Sequence, residues 1–149
     1  FYNSLQKFQE ALEELGKAAR LKPDAEEPNE ILVDVLMGAG SFDKAENILK
    51  AILASNKGGA SHAYKLGIAL SRQGKHEEAL QFFDQLLSQM PGDFMTLFEK
   101  AGTLEKMGKK EEALNLYQAI LNSKVPDNQA LAQTLGMIQE EARKRLGKQ

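Results

Sequence analysis

Gly74-Lys75-His76-Glu77-Glu78-Ala79-Leu80 is written a second time as Gly108-Lys109-Lys110-Glu111-Glu112-Ala113-Leu114, differing only at His76 and Lys110. The two stretches stand 34 residues apart, and other columns keep that interval across three copies: Gly40, Gly74 and Gly108; Ala45, Ala79 and Ala113; Leu49, Phe83 and Tyr117; Ile52, Leu86 and Ile120. Before Gly74, the residues Ala63, Leu66, Gly67 and Leu70 recur at i, i+3, i+4, i+7, the spacing of one helix face. After it, Ala79, Leu80, Phe83, Leu86 and Leu87 do the same, and Pro91-Gly92 closes the unit. The glycine between them supplies the left-handed residue on which helices commonly end. The pattern predicts helices near Ser61–Gln73 and His76–Met90, with Asp93 placed to cap the next helix. A fixed period of this kind, made of two helical stretches, means helix pairs stacked one on the next.

The bulk composition narrows the chemistry. The chain has 149 residues, is 42% hydrophobic and carries a formal net charge of −2, which gives no electrostatic basis for a nucleic-acid partner. It has no cysteine, so disulfides and thiolate sites are excluded and a reducing, cytoplasmic setting is favoured. No apolar run approaches the ~18 residues that span a bilayer, so no membrane insertion is expected. Because the first residue is Phe1, the chain is expected to be part of a longer protein.

The copy running from Ala60 to Asp93 resembles the tetratricopeptide repeat, whose pattern sets a small residue in the first helix, then an alanine, an aromatic and a proline. Leu66-Gly67, Leu70, Ala79, Phe83 and Pro91 fill those places in order. Close packing is the physical reason: Gly67 and Ala79 let the two helices approach and Phe83 fills the space left. The next copy, from Phe94, carries Leu97, Ala101, Leu104, Gly108, Ala113, Tyr117 and Ile120, with one residue inserted before Pro126. In it Lys100 takes a leucine position, its stem expected on apolar surface with the charge in water. The copy before, from about Glu26, keeps Leu32, Leu36, Gly40, Ala45, Leu49 and Ile52, but has Val33 in the small slot, which predicts a looser helix crossing. Upstream, Ala11, Leu15, Ala18 and Pro23 fit a second helix whose first helix is mostly missing. Downstream, Asp127 or Asn128 can cap a last helix carrying Leu131, Leu135-Gly136, Ile138, Ala142 and Leu146. The resemblance implies an all-α fold, an α-solenoid of antiparallel helix pairs with about three and a half repeats and a C-terminal capping helix. As a single domain over 1–149, it divides into a partial repeat at 1–25, repeats at about 26–59, 60–93 and 94–127, and a cap at 128–146.

Nothing in the sequence assembles a catalytic centre. His62 and His76 are the only histidines, and with no cysteine and no HExxH pair no metal site or cofactor is expected; both read as solvated residues at helix starts. Glu77-Glu78 and Glu111-Glu112 fall in first helical turns, where carboxylates favour the helix dipole. No GxxxxGK[ST] or GxGxxG loop occurs. The basic tail of Arg143, Lys144, Arg145 and Lys148 suits a helix C-terminus. The chain is therefore read as a non-enzyme.

What the resemblance implies instead is protein recognition, since in this family the first helix of each pair lines a concave groove. Its register assigns to that groove Glu27, Glu30, Asp34 and Met37; Ser61, Tyr64, Ile68, Ser71 and Arg72; Met95, Phe98, Gly102, Glu105 and Lys106; and Gln133, Met137 and Glu140. Tyr64 and Phe98 are expected to turn away from their own pair and anchor a protein or peptide partner, as buried aromatics do at many interfaces. Ile68, Met95 and Met137 are apolar as well, with Ile68 and Met95 equally suited to packing between repeats. The methionines at 37, 90, 95, 107 and 137 read as core or groove fillers. Asp24, Glu26, Glu27, Glu30 and Asp34 form an acidic stretch, either a solvated helix start or an entrance for a basic partner segment. The lysine–arginine–asparagine clamp with which some arrays grip a chaperone C-terminus is absent, since the matching positions hold Glu30, Asp34, Tyr64, Ile68, Phe98 and Gly102. The alternative is a self-associating homo-oligomer in a larger signalling or envelope protein, stacking through Phe8, Leu12 and Leu15 at the open end.

Overall fold

The computed structural model describes residues 6, 7, 9–11, 13, 14, 17, 26–55 and 58–147, with the side chains of 26–28 left aside. The residues proposed for stacking at the N-terminal end, Phe8, Leu12 and Leu15, lie outside the described residues, as do Tyr2, Ala18, Pro23 and Asp24. The described positions between 6 and 17 are helical. Beyond them come α1 (Glu26–Gly38), α2 (Phe42–Ala54), α3 (Ala60–Arg72), α4 (His76–Gln89), α5 (Phe94–Lys106), α6 (Lys110–Leu121) and α7 (Gln129–Arg145), with no strand among the described residues.

Each pair is closed by the same device. Gly40, Gly74 and Gly108 have φ of 76°, 83° and 79°, which L side chains rarely adopt. Past them the N–H of Ser41, Lys75 and Lys109 donates to the carbonyl of Leu36, Leu70 and Leu104 at 2.9 Å. The glycine N–H groups donate to Met37, Ser71 and Glu105 in turn, which completes a double-bonded helix C-terminus. Ser41, Lys75 and Lys109, whose N–H groups bond the leucine carbonyls, are the N-caps of the next helices, so the reversal is compact. Asp93 does occupy the N-cap of α5, but its carboxylate accepts from the Thr96 hydroxyl and makes no bond to backbone N–H. Asn128 caps α7 as expected, with its Oδ1 accepting from Leu131 N–H at 3.0 Å.

Inside each pair the sizes of facing residues trade against one another. A Cβ on Gly67 would lie 2.5 Å from Cε1 of Phe83, so only glycine admits that ring. The same slot holds Ala101 where the second helix offers Tyr117, and Val33 where it offers the smaller Leu49; all are buried. Ala45, Ala79 and Ala113 are fully buried, as the close approach of the two helices requires. The larger Val33 is thus met by a non-aromatic partner column.

The packing is between neighbours in sequence: α1 with α2, α2 with α3, α3 with α4, and so on to α7. In addition α3 packs on α5, and α5 on α7, so the first helices stand in a row. Among the described residues the buried core falls into two clusters, one from Leu32 to Phe83 and one from Phe94 to Ala142.

Candidate interaction face

The row of first helices is cross-linked by polar side chains. Between α1 and α3, Lys65 Nζ lies 2.7 Å from Asp34 Oδ1, and His62 Nε2 lies 3.1 Å from Glu30 Oε1. His62 is only 16% exposed and is no solvated histidine: Gly59 N–H donates to its Nδ1, leaving the ring proton of the neutral form on Nε2 to reach Glu30. Between α3 and α5, Arg72 pairs with Glu99 at 3.4 Å. Between α5 and α7, Arg145 pairs with Glu105 at 3.1 Å, and Glu105 also accepts from the Tyr117 hydroxyl. Glu30, Asp34, Arg72 and Glu105, all assigned to the groove, are thus engaged in links between successive first helices. The side chain of Glu27 lies outside the described residues.

A buried pair of hydroxyls ties α3 to α5. Ser71 and Thr103 are 2% and 1% exposed, with oxygens 2.9 Å apart. Thr103 Oγ1 donates to the Glu99 carbonyl, so Ser71 is the donor to Thr103. Ser71 is therefore structural and does not face a partner.

The apolar candidates divide by exposure. Met137 is 73% exposed. Ile68 is half-buried against the first core cluster, and Met95 against the second. Tyr64 is also half-buried on the first cluster; burial, then the Glu99 carboxylate, push its phenol well above the usual range. Phe98 does not turn away from its own pair. Its ring meets Tyr117 of α6 edge-on, with centroids 6.2 Å apart and planes at 63°. Burial, then the bond to Glu105, raise the Tyr117 phenol too, and the Phe98–Tyr117 contact joins α5 to α6. Met90, expected as a filler, is 45% exposed beyond the end of α4. A recess of about 260 Å³ lies at the foot of this region, lined by Glu105, Gly108, Lys110, Leu114 and Arg145.

Away from that face stands a cluster that the repeat reading passed over. Glu46 on α2 is only 6% exposed, and its carboxylate takes Lys75 at 2.8 Å, Lys50 at 2.9 Å and the Gln73 side-chain amide at 2.9 Å. Lys75 above all, with Lys50, holds its pKa down to about 2. The signal was a break in a column, because the matching positions of the later copies are Leu80 and Leu114. Lys100, similarly, is tied to Asp84 at 2.6 Å and not left in water. His76 keeps a buried Nδ1 without a hydrogen-bond partner. Among the described residues no group of three or more His, Cys, Asp or Glu could hold a metal, and no helix is long and apolar enough to cross a membrane.

Helix pairs closed by a left-handed glycine and stacked with their first helices in a row define an α-solenoid. A tetratricopeptide repeat family model matches residues 3–124, and the chain belongs to that family. Among solved structures, PcrH in complex with the chaperone binding region of PopD is similar at a TM-score of 0.64 and 23% identity, over 83% of this chain and 95% of that one. PcrH also appears alone, from Pseudomonas aeruginosa. MamA is similar at 0.70 and 15% identity, over 97% and 92% of the two chains. YrrB, a tetratricopeptide protein with an unusual peptide-binding site, is similar at 0.65 and 19% identity, over 97% and 77%. A search of curated protein sequences returns no match. Membership of the tetratricopeptide repeat family makes this fold a protein-interaction scaffold.

Proposed function

We propose that the chain is a non-catalytic recognition module that holds a peptide segment of a partner protein along its row of first helices. The observation that carries this reading is Met137, 73% exposed on α7, in register with half-buried Ile68 on α3, on a helix that packs on α5 with its half-buried Met95 and Phe98. An exposed methionine flanked by partly covered apolar side chains is an adaptable surface for a partner to finish burying. PcrH with its PopD segment, and YrrB with its peptide-binding site, support the same use of the fold.

The test uses the intact chain with methyl-labelled methionine and isoleucine. Peptides selected from a random display library should shift the methyl signals of Ile68, Met95 and Met137. Met90, also exposed but beyond the end of a second helix, and Ile48 on α2 should stay still. Shifts confined to Met90 or Ile48 would put recognition elsewhere and end this reading.

A further inference from the structure

The first helices α3, α5 and α7 are capped in two different ways. Their N-caps are Gly59, Asp93 and Asn128, and three residues further on stand His62, Thr96 and Leu131. At two of these starts the cap side chain is the acceptor: Asn128 Oδ1 takes the Leu131 N–H at 3.0 Å, and the Asp93 carboxylate takes the Thr96 hydroxyl. Gly59 has no side chain to offer, and the bond there runs the other way. Its own N–H donates to His62 Nδ1 at 3.1 Å. The turn before Gly59 also lacks a proline, whereas Pro91 and Pro126 stiffen the other two. Gly58 lies so close on the end of α2 that a Cβ there would stand 2.8 Å from Leu53 Cδ2.

The far side of the same ring reaches the preceding helix pair, with Nε2 3.1 Å from Glu30 Oε1 on α1. A carboxylate only accepts, and Nδ1 already accepts from Gly59, so both bonds coexist only in the neutral ring with its proton on Nε2. Protonation sets a second ring N–H against the Gly59 N–H, and that bond must break. The bond to Glu30 meanwhile becomes charge-assisted and tightens. Other charges on the elements around α3 are engaged elsewhere or lie at its far end. Asp34 on α1 is held by Lys65 of α3 itself. On α5, Asp93 is engaged by Thr96 and Glu99 by Arg72, and Asp84 on α4 is taken by Lys100. On α2, Asp43 and Glu46 act on Lys75 at the opposite end of α3, and Lys50 joins Glu46. Glu77 and Glu78 open α4 beside that same end.

We infer that His62 makes the join between α1 and α3 proton-sensitive: the neutral ring pins the Gly58–Gly59 turn to α3, and acid releases that turn while tightening the grip on Glu30. This device goes beyond the recognition role proposed above and does not depend on it. The starts of α5 and α7, built on Asp93 and Asn128, hold no group that changes charge in the imidazole range, so the response is confined to one junction of the row.

The test follows the isotope-labelled full chain by NMR from about pH 8 to about pH 5, where imidazoles change charge. His62 and His76 are the only histidines, and His76→Gln identifies which ring signals are its own. At the high end the His62 ring nitrogens should report the proton on Nε2. On acidification the Gly59 amide proton should move upfield, as a released N–H does, with the same midpoint as the ring, while the Leu131 amide stays still. His62→Gln should abolish the Gly59 transition, and Glu30→Gln should shift the ring midpoint to lower pH. A proton on Nδ1 at the high end, or a Gly59 amide that ignores the ring, would overturn the inference. So would a Gly59 transition that persists in His62→Gln. A ring midpoint unmoved in Glu30→Gln would remove the grip on α1, and with it the proton-sensitive join.

Discussion

Glu46 shows what a single residue can settle in a repeat fold. Burying a carboxylate is costly unless it is paired and hydrogen-bonded, and here Lys75, Lys50 and Gln73 do both. The lysines remain half exposed, at 43% and 49%, so the net gain is on the order of 1 kcal/mol once solvent screening is included. The folded pKa is depressed from 4.5 to about 2, so the folded state binds fewer protons than the unfolded state between those values. That contribution is fully present above 4.5 and is lost as pH falls through the window toward 2. Glu46→Gln should therefore cost about 1 kcal/mol in urea unfolding near neutral pH, with the difference shrinking as pH drops through the same window. A deficit that stays constant into acid would show that packing, and not charge, keeps Glu46 in place. The sequence displayed half of this site. The acid in a leucine column was visible, but Lys75 recurs as Lys109 in a copy with no acid opposite it, so nothing in the pattern pointed to the pair.

At the scale of the helix pair, the turn glycine does most of the specifying. Gly74 both bends the chain and frees Lys75 to start the next helix, and an alanine there would be held at φ of 83°. Gly74→Ala should destabilise by about 1–2 kcal/mol, although the same change on an exposed helical glycine would stabilise. Urea midpoints of Gly74→Ala and Gly136→Ala should move in opposite directions; a shared direction would mean that helix propensity outweighs backbone strain at the turn. This level of structure was legible beforehand, because apolar period, stop glycine and proline punctuate the same places. Helices expected at Ser61–Gln73 and His76–Met90 are found at Ala60–Arg72 and His76–Gln89. Side-chain direction was not legible to that depth. Phe98 was expected to face a partner, yet it lies edge-on to Tyr117, because a residue at that register position sits over the seam between its own pair's helices. The pairing of Glu30 and Asp34 with His62 and Lys65 was hidden for a related reason. It joins different repeats, and a column alignment compares repeats without showing which side chains touch across them.

Over the whole molecule, the stacking of neighbours makes stability a sum of local terms, and the weakest junction decides how the chain comes apart. The two buried clusters meet between Phe83 and Phe94 in sequence, and the chain is expected to part there. Leu80 and Leu87 cross that junction by packing on the second cluster, and polar links cross it as well: Ser71 with Thr103, Arg72 with Glu99, and Lys100 with Asp84. Among these only the hydroxyl pair is buried on both sides, which makes it the sensitive one. Ser71→Ala leaves Thr103 still donating to the Glu99 carbonyl and should cost about 0.5–1.5 kcal/mol. Thr103→Val removes the acceptor and strands the buried Ser71 hydroxyl, at about 1–3 kcal/mol. The double variant removes the stranded group, so its cost should be less than the sum of the two. Weakening the junction should also let the halves unfold separately, lowering the urea slope or splitting the transition. Strict additivity would show that the hydroxyls do not act as a pair. An unchanged slope in Thr103→Val would show that Leu80 and Leu87, rather than the polar contacts, bind the two clusters into one cooperative unit.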